Sequence, residues 1–533
     1  MARLAWFFGI GLIVSLWHCA NPIAPTGGPK DEDPPKIDST RSTPNYQTNF
    51  TKQPITLTFD EWLKLDKPNQ IVVSPPMRKK PTFTQRGKSI HIEWPEEENL
   101  LDSVTYTINF GDAIKDITEG NTLKDYRFVF ATGPVLDSGR VEATITDALT
   151  LQPLENITVM LYVNTDDSIV YKEPPYYFAK TDKQGHCIIE NIRPGKFKVF
   201  ALEDGNQNYL FDNVNEKVGF QDSIIAVNDT VISRIHLKVF QQLLPYKVVR
   251  RRLYQNLAQL TFNRSPRDLY LESEYQPPVI EQELDTLRFW LDDSIPNPWT
   301  FYLTDSVAFR DTSVLYRDST SLFEMALKIE GSENTTGLPA ATPWKIKFNQ
   351  PILHIDTNLI QVFTDDTLAL PVHAAWDIDS TAPGTLTGMF GWKPDTKYRA
   401  QLLPGAIEGW TSSQKDTIGP KLRTAKTEDL ANLVIQTDSL SPQMHYVVQL
   451  LSKETVIKES MIFGVRAQEI NWKGLKPAEY ELRIIADENA NGVWDPGDYL
   501  KHRAPEQVQI QPIQNLRANW DLEIRFNWKS SGI

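Results

Sequence analysis

Residues 192–212, IRPGKFKVFALEDGNQNYLFD, align without a gap to residues 475–495, LKPAEYELRIIADENANGVWD. A constant offset of 283 pairs Pro194 with Pro477, Phe197 with Tyr480, Asp204 with Asp487, Asn206 with Asn489, Asn208 with Asn491, Phe211 with Trp494 and Asp212 with Asp495. Each copy reads as a strand that runs into a loop rich in Asp and Asn. A strand-plus-loop unit used twice points to duplicated β modules. A weaker echo sets LTFDEWLKLDKPNQIVV (residues 57–73) against IKFNQPILHIDTNLIQVF (residues 346–363), with Phe59 opposite Phe348, and SVTYTI against TKYRAQL. The simplest account is a duplicated pair of modules.

The rest of the chain reads the same way. At 533 residues it is too long for one ordinary core. Pro (36) exceeds Gly (26), which suits many short strands and stiff connections. Alternation places Ile55, Leu57 and Phe59 on one face, Ile90 and Ile92 on another, and Val104, Tyr106, Ile108 and Phe110 on a third. A net charge of −13 argues against a nucleic-acid partner, which needs a basic face. The clusters MRKK (77–80) and RRR (250–252) read as solvated surface.

Two families resemble these modules. The opening DPPKIDSTRSTP, the strand ITLTFDEWLKLD, the run VTYTINFGDAIKDITEGN and the closing FVFATG resemble the SbsA-type bacterial Ig-like domain over residues 33–134. The runs SGRVEATITDALTLQPLENITVMLY and KTDKQGHCIIENIRPGKFKVFALED are similar to the carboxypeptidase regulatory-like, prealbumin-like sandwich. There Asp182 with Gly185 and Pro194 with Gly195 would form turns. The resemblance implies a module without catalysis and, for the Ig-like part, an adhesive, structural or assembly role.

The N-terminus, MARLAWFFGIGLIVSLWHC, has an early Arg3 and an apolar core, as an export signal does. SLWHC resembles a bacterial lipoprotein signal, in which the Cys is acylated and becomes the mature N-terminus. Here Trp17 and His18 stand where small residues are usual. An ordinary secretory signal is the alternative. The following ANPIAPTGGPKDEDPPK cannot pack a core and suits a semi-stiff tether. Two acyl chains or more at Cys19 would hold a soluble body at a membrane.

Candidate chemistry is sparse. The later loop offers Asp487, Asn489, Asn491, the Val493 carbonyl, Asp495 and Asp498 at the ligand positions of an EF-hand-type loop, with Gly492 sixth. The earlier loop keeps Asp204, Asn206, Asn208 and Asp212, but Tyr209 replaces the Gly and Asn215 falls at position twelve. These residue types could hold a structural Ca²⁺. Asx side chains bonding their own backbone would explain them equally. The histidines His91, His186, His236, His354, His373, His445 and His502 make no metal-ligand spacing, and no nucleophile elbow or phosphate loop is present. Cys187 sits in an apolar run. Among 14 Trp, Trp62, Trp94, Trp290, Trp344 and Trp472 lie in or beside strands, where core packing competes with sugar stacking.

The expectation is an all-β chain, a string of Ig-like and prealbumin-like β-sandwich domains after a lipoprotein signal peptide. The divisions are 1–18 signal, 19–37 tether, 38–134 Ig-like, 135–239 prealbumin-like, 240–335 a further sandwich, 336–428 a second Ig-like domain and 429–533 a second prealbumin-like one. The expected function is a non-enzymatic outer-membrane lipoprotein, acting as a structural, adhesive or scaffold protein toward envelope proteins or surface polymers. No nucleic-acid partner or small-molecule substrate is expected. A carbohydrate-binding surface protein is the alternative.

Overall fold

The computed structural model describes residues 31–529, apart from 67, 69–70, 78, 125, 214, 230, 267–268, 306–309 and 318–320. The signal segment and Cys19 lie outside the described residues. Among those described, the regular structure is strand with three short 3₁₀ turns and no α-helix. The chain is a succession of β-sandwich units, each closed on its own apolar core.

Among the described residues five apolar cores follow one another, one to a unit, and two further clusters, around Tyr499 and around Val447, bring residues of different units together. The first gathers Phe50, Ile55, Leu57, Phe59, Tyr106, Ile108, Phe110, Phe128 and Phe130. The third is built on Tyr246, Phe262, Phe289, Trp299 and Phe301, and the fourth on Trp344, Phe348, Trp376, Trp392 and Tyr398. The alternation seen in the sequence accounts for them: Ile55, Leu57, Ile90 and Ile92 are all fully buried, and Ile55 pairs across the ladder with Ile92.

The weaker echo has a structural counterpart. Phe59 and Phe348 are both buried, and both sit in isolated bridges, with Ile37 and Ile329. The Tyr106 hydroxyl accepts from the Leu101 N–H at 2.8 Å, and the Tyr398 hydroxyl accepts from the Lys393 N–H at 2.8 Å. In both, a Tyr five residues downstream fastens the turn that enters its own strand, as tyrosine corners do in sandwiches.

The second and fifth units share a topology. In the second, Gly139–Asp147 lies between the antiparallel His186–Ile192 and the parallel Ser233–Gln241. In the fifth, Ala431–Asp438 lies between the antiparallel Gln468–Leu475 and the parallel Asp521–Asn527. The repeated strands, Gly195–Leu202 and Ala478–Asp487, occupy interior places in their sheets. The turn expected at residues 182–185 is present. Gly185 has φ +74°, and a Cβ there would meet the Ile145 carbonyl oxygen at 2.4 Å, so only Gly fits.

The units are not independent of one another. Arg127 of the first pairs with Glu190 of the second at 3.0 Å. Trp290 of the third lies 6.1 Å from Trp410 of the fourth, ring to ring. Pro339 packs on Gly474, joining the fourth to the fifth. The fifth then reaches back to the second, through a segment described below.

Candidate functional site

The two Asp/Asn loops share one hydrogen-bond pattern. In the later copy the Asp487 carboxylate accepts from the N–H groups of Asn491 and Gly492, at 3.1 and 2.8 Å. The amides of Asn489 and Asn491 both donate to Asp495 Oδ2. In the earlier copy Asp204 accepts from the N–H groups of Asn208 and Tyr209, at 3.2 and 2.9 Å. The amides of Asn206 and Asn208 donate to Asp212, at 2.9 and 2.7 Å. Four side chains of each loop therefore converge, and each loop is closed by Asx bonding to its own backbone. The Val493 N–H donates to Asn491 Oδ1 at 2.9 Å.

Asp498 does not join this group. Its Oδ1 accepts from the Lys501 N–H at 3.2 Å, and its Oδ2 lies 3.4 Å from Lys501 Nζ. Glu506, which sequence reasoning missed, takes the closing place. Its two carboxylate oxygens accept from the N–H groups of Glu488 and Asp495, at 2.8 and 2.9 Å, and the side chain is 95% buried. Burial pushes its pKa up to about 7. The two N–H bonds oppose that shift, and Asp495 and Asp487 add to it. Glu216 is the counterpart in the earlier loop: it is buried, it accepts from the Asn213 N–H at 3.3 Å, and its Oε1 makes no hydrogen bond. Burial holds its carboxyl above the usual range, and Asp204 and Asp212 add to this. The gapless alignment does not reach Glu506. Glu506 lies 290 positions after Glu216, against 283 for the aligned loops, so the later copy carries seven extra residues between its last Asp and its Glu.

Those extra residues dock on the second unit. Tyr499, 1% exposed, enters an aromatic layer with Tyr171, Phe200 and Phe220 at ring distances of 6.2, 5.0 and 5.2 Å. Its hydroxyl donates to the Asp167 carbonyl at 2.9 Å, and its N–H donates to Gln242. His502 stands between two carboxylates: Nε2 is 2.8 Å from Asp167 and Nδ1 is 2.8 Å from Asp222. Lys198 also pairs with Asp167 and lies 5.2 Å from the Tyr499 ring centre. Beside this contact a cleft of about 750 Å³ is lined by Asp212, Asp495, Arg264, Arg310, Lys501 and Arg503, among others.

Other candidates disperse. His91, His186 and His236 each face a cross-strand Thr, at 3.2, 3.0 and 3.2 Å. Cys187 is buried. Among the described residues, no three His, Cys, Asp or Glu side chains gather into a metal-holding group. No described helix is long and apolar enough to cross a membrane, which says nothing of strands. Trp290, Trp344 and Trp472 are buried in cores. Trp94 donates to the Gln53 carbonyl and packs on Phe130. Trp62 and Trp520, 61% and 40% exposed, lie in the first and fifth units.

No curated protein matches the chain. Solved structures superpose over much of it but loosely. The surface layer protein SbsC, domains 1–6, is 11% identical over 92% of this chain and 68% of its own, with a TM-score of 0.16. BcpA, the major pilin subunit of Bacillus cereus, is 9% identical over 73% of this chain and 99% of its own, with a TM-score of 0.15. SGBP-B of the Bacteroides ovatus mixed-linkage glucan utilization locus is 9% identical over 70% and 93%, with a TM-score of 0.17. Residues 31–132, in the first unit, match the family model of the bacterial Ig-like domain.

Proposed function

We propose that the chain is exported, held at the outer membrane through an acylated Cys19, and acts without catalysis as a structural, adhesive or assembly-scaffold protein of the cell envelope. The observation that carries the reading is the bacterial Ig-like match at residues 31–132, set at the head of a body built of β-sandwich units. The polar side chains that would suggest chemistry are engaged in turns and in contacts between units. Envelope proteins or surface polymers are the partners. Crosslinking in intact cells, followed by capture of the chain and mass spectrometry, tests this. Repeated recovery of the same envelope assembly or secretion proteins is expected, and recovery of nothing above a control lipoprotein contradicts it. A sugar platform needs neighbouring rings on one open face, and the two exposed Trp among the described residues, Trp62 and Trp520, belong to different units, which weighs against that alternative.

Within the same reading the loops take Ca²⁺ as a structural ion. The later site would be Asp487, Asn489, Asn491, the Val493 carbonyl and Asp495, with Glu506 in place of Asp498. The earlier would be Asp204, Asn206, Asn208 and Asp212 with Glu216. Supporting the fit are the convergence of these side chains and the buried, unbonded Oε1 of Glu216.

A further inference from the structure

We propose that residues 496–505 form a protonation-locked clasp: His502, as imidazolium, ties the fifth unit to Asp167 and Asp222 of the second, and its deprotonation releases the contact. Geometry comes first. Each ring nitrogen faces a carboxylate oxygen at 2.8 Å. An ionised carboxylate can only accept, so both nitrogens must donate, and only imidazolium has two N–H groups. A neutral ring satisfies one partner and turns a lone pair toward the other.

The surroundings fit a positive ring. Asp222 and Asp167 hold its pKa above the ordinary histidine value against a small opposing effect of burial. Asp167 is in turn held low, first by Lys198 and then by His502, so it remains ionised. The other charged and titratable groups around the contact are Lys198, Tyr171, Tyr499 and the Asp498–Lys501 pair. Both tyrosines are pushed up by burial and stay neutral near pH 7. Because the docked state raises the histidine pKa, the contribution is fully present below about 6.5, the undocked value. It is lost as pH rises through the raised one.

The contact is confined to one copy of the repeat. The seven residues that the later copy adds carry the docking side chains, and the earlier copy has nothing at this place in its own loop. The segment covers an aromatic face that would otherwise meet water, with Phe200 fully buried and Phe220 half-buried against Tyr499. Release would therefore bare Tyr171, Phe200 and Phe220 on the second unit. The two units stay joined elsewhere, where Leu149 of the second packs against Val447, Ile485 and Val508 of the fifth, so release frees the segment and not the whole interface.

Hydrogen exchange on the full-length chain from pH 6 to pH 9, corrected for intrinsic rates, reads the clasp at the Tyr499 amide, which donates to Gln242. Its protection should fall across that range in wild type, as the imidazolium loses its proton. Two variants separate the lock from mere packing. His502 has φ +51°, which Asn tolerates, so His502→Asn keeps the backbone. It should show low protection without pH dependence. Asp222→Asn leaves one carboxylate, which a neutral ring can satisfy, and should flatten the profile. Protection that does not change with pH in wild type, or a wild-type profile that persists in either variant, overturns the proposal.

Discussion

Tyr209 stands where the later copy has Gly492, and both residues adopt left-handed backbone, φ +62° and +76°. A side chain there costs roughly 1–2 kcal/mol. The ring offsets that cost. It is 4% exposed and packs 4.8 Å from Phe178, in the layer that also receives Tyr499. Removing a buried ring of this size costs about 3–5 kcal/mol. Tyr209→Gly should therefore lower unfolding stability by roughly 2 kcal/mol, the lost ring less the relieved backbone, measured by denaturant titration. Glu506 gives a second residue-level test. Its folded pKa is raised to about 7, so between the unfolded carboxyl value and pH 7 the native state binds the extra proton. Stability then falls as pH rises across that window, by about 2–3 kcal/mol at most from this group. Glu506→Gln should remove that slope from the wild-type profile. Ca²⁺ in the loop would favour the ionised form and flatten it too. In the same terms, EDTA should lower the melting temperature of wild type and leave Asp487→Ala unchanged. Wild type insensitive to EDTA would exclude the ion.

At the scale of elements, the strand-plus-loop repeat was legible, because a strand fixes side-chain alternation and an Asx loop fixes its own backbone locally. The matched bonds in the two loops are the structural form of that alignment. Glu506 was not legible, because the seven extra residues shift it out of register with Glu216 and the gapless alignment ends at Asp495. The destination of those residues was hidden for a different reason. Tyr499 meets partners more than 250 positions away, and no period in the sequence records a contact between units. Tyr499→Ala should destabilise the second unit by roughly 3–5 kcal/mol, through the cavity it leaves. Tyr499→Phe should cost about 1 kcal/mol, for the bond to the Asp167 carbonyl. Urea unfolding followed at the second unit distinguishes them, and equal effects would show that the hydroxyl rather than the ring carries the contact.

At the scale of the whole molecule, alternation and turn residues sufficed to read an all-β succession of sandwiches, since each unit buries its own short strands. What they do not specify is the contact from the fifth unit back to the second, which makes the chain more than beads on a thread. The functional reading rests on the first and last scales together: a β-built body and a cysteine at its head. Cys19 lies outside the described residues, so the anchor is tested chemically. The most direct measurement is the mass of the mature N-terminal peptide from purified envelopes, with Cys19→Ala as control. The expected result is a peptide that begins at Cys19 and carries acyl chains, with the variant recovered in the soluble fraction. An unmodified peptide that begins elsewhere, or a variant that stays with the membrane as wild type does, would contradict the account.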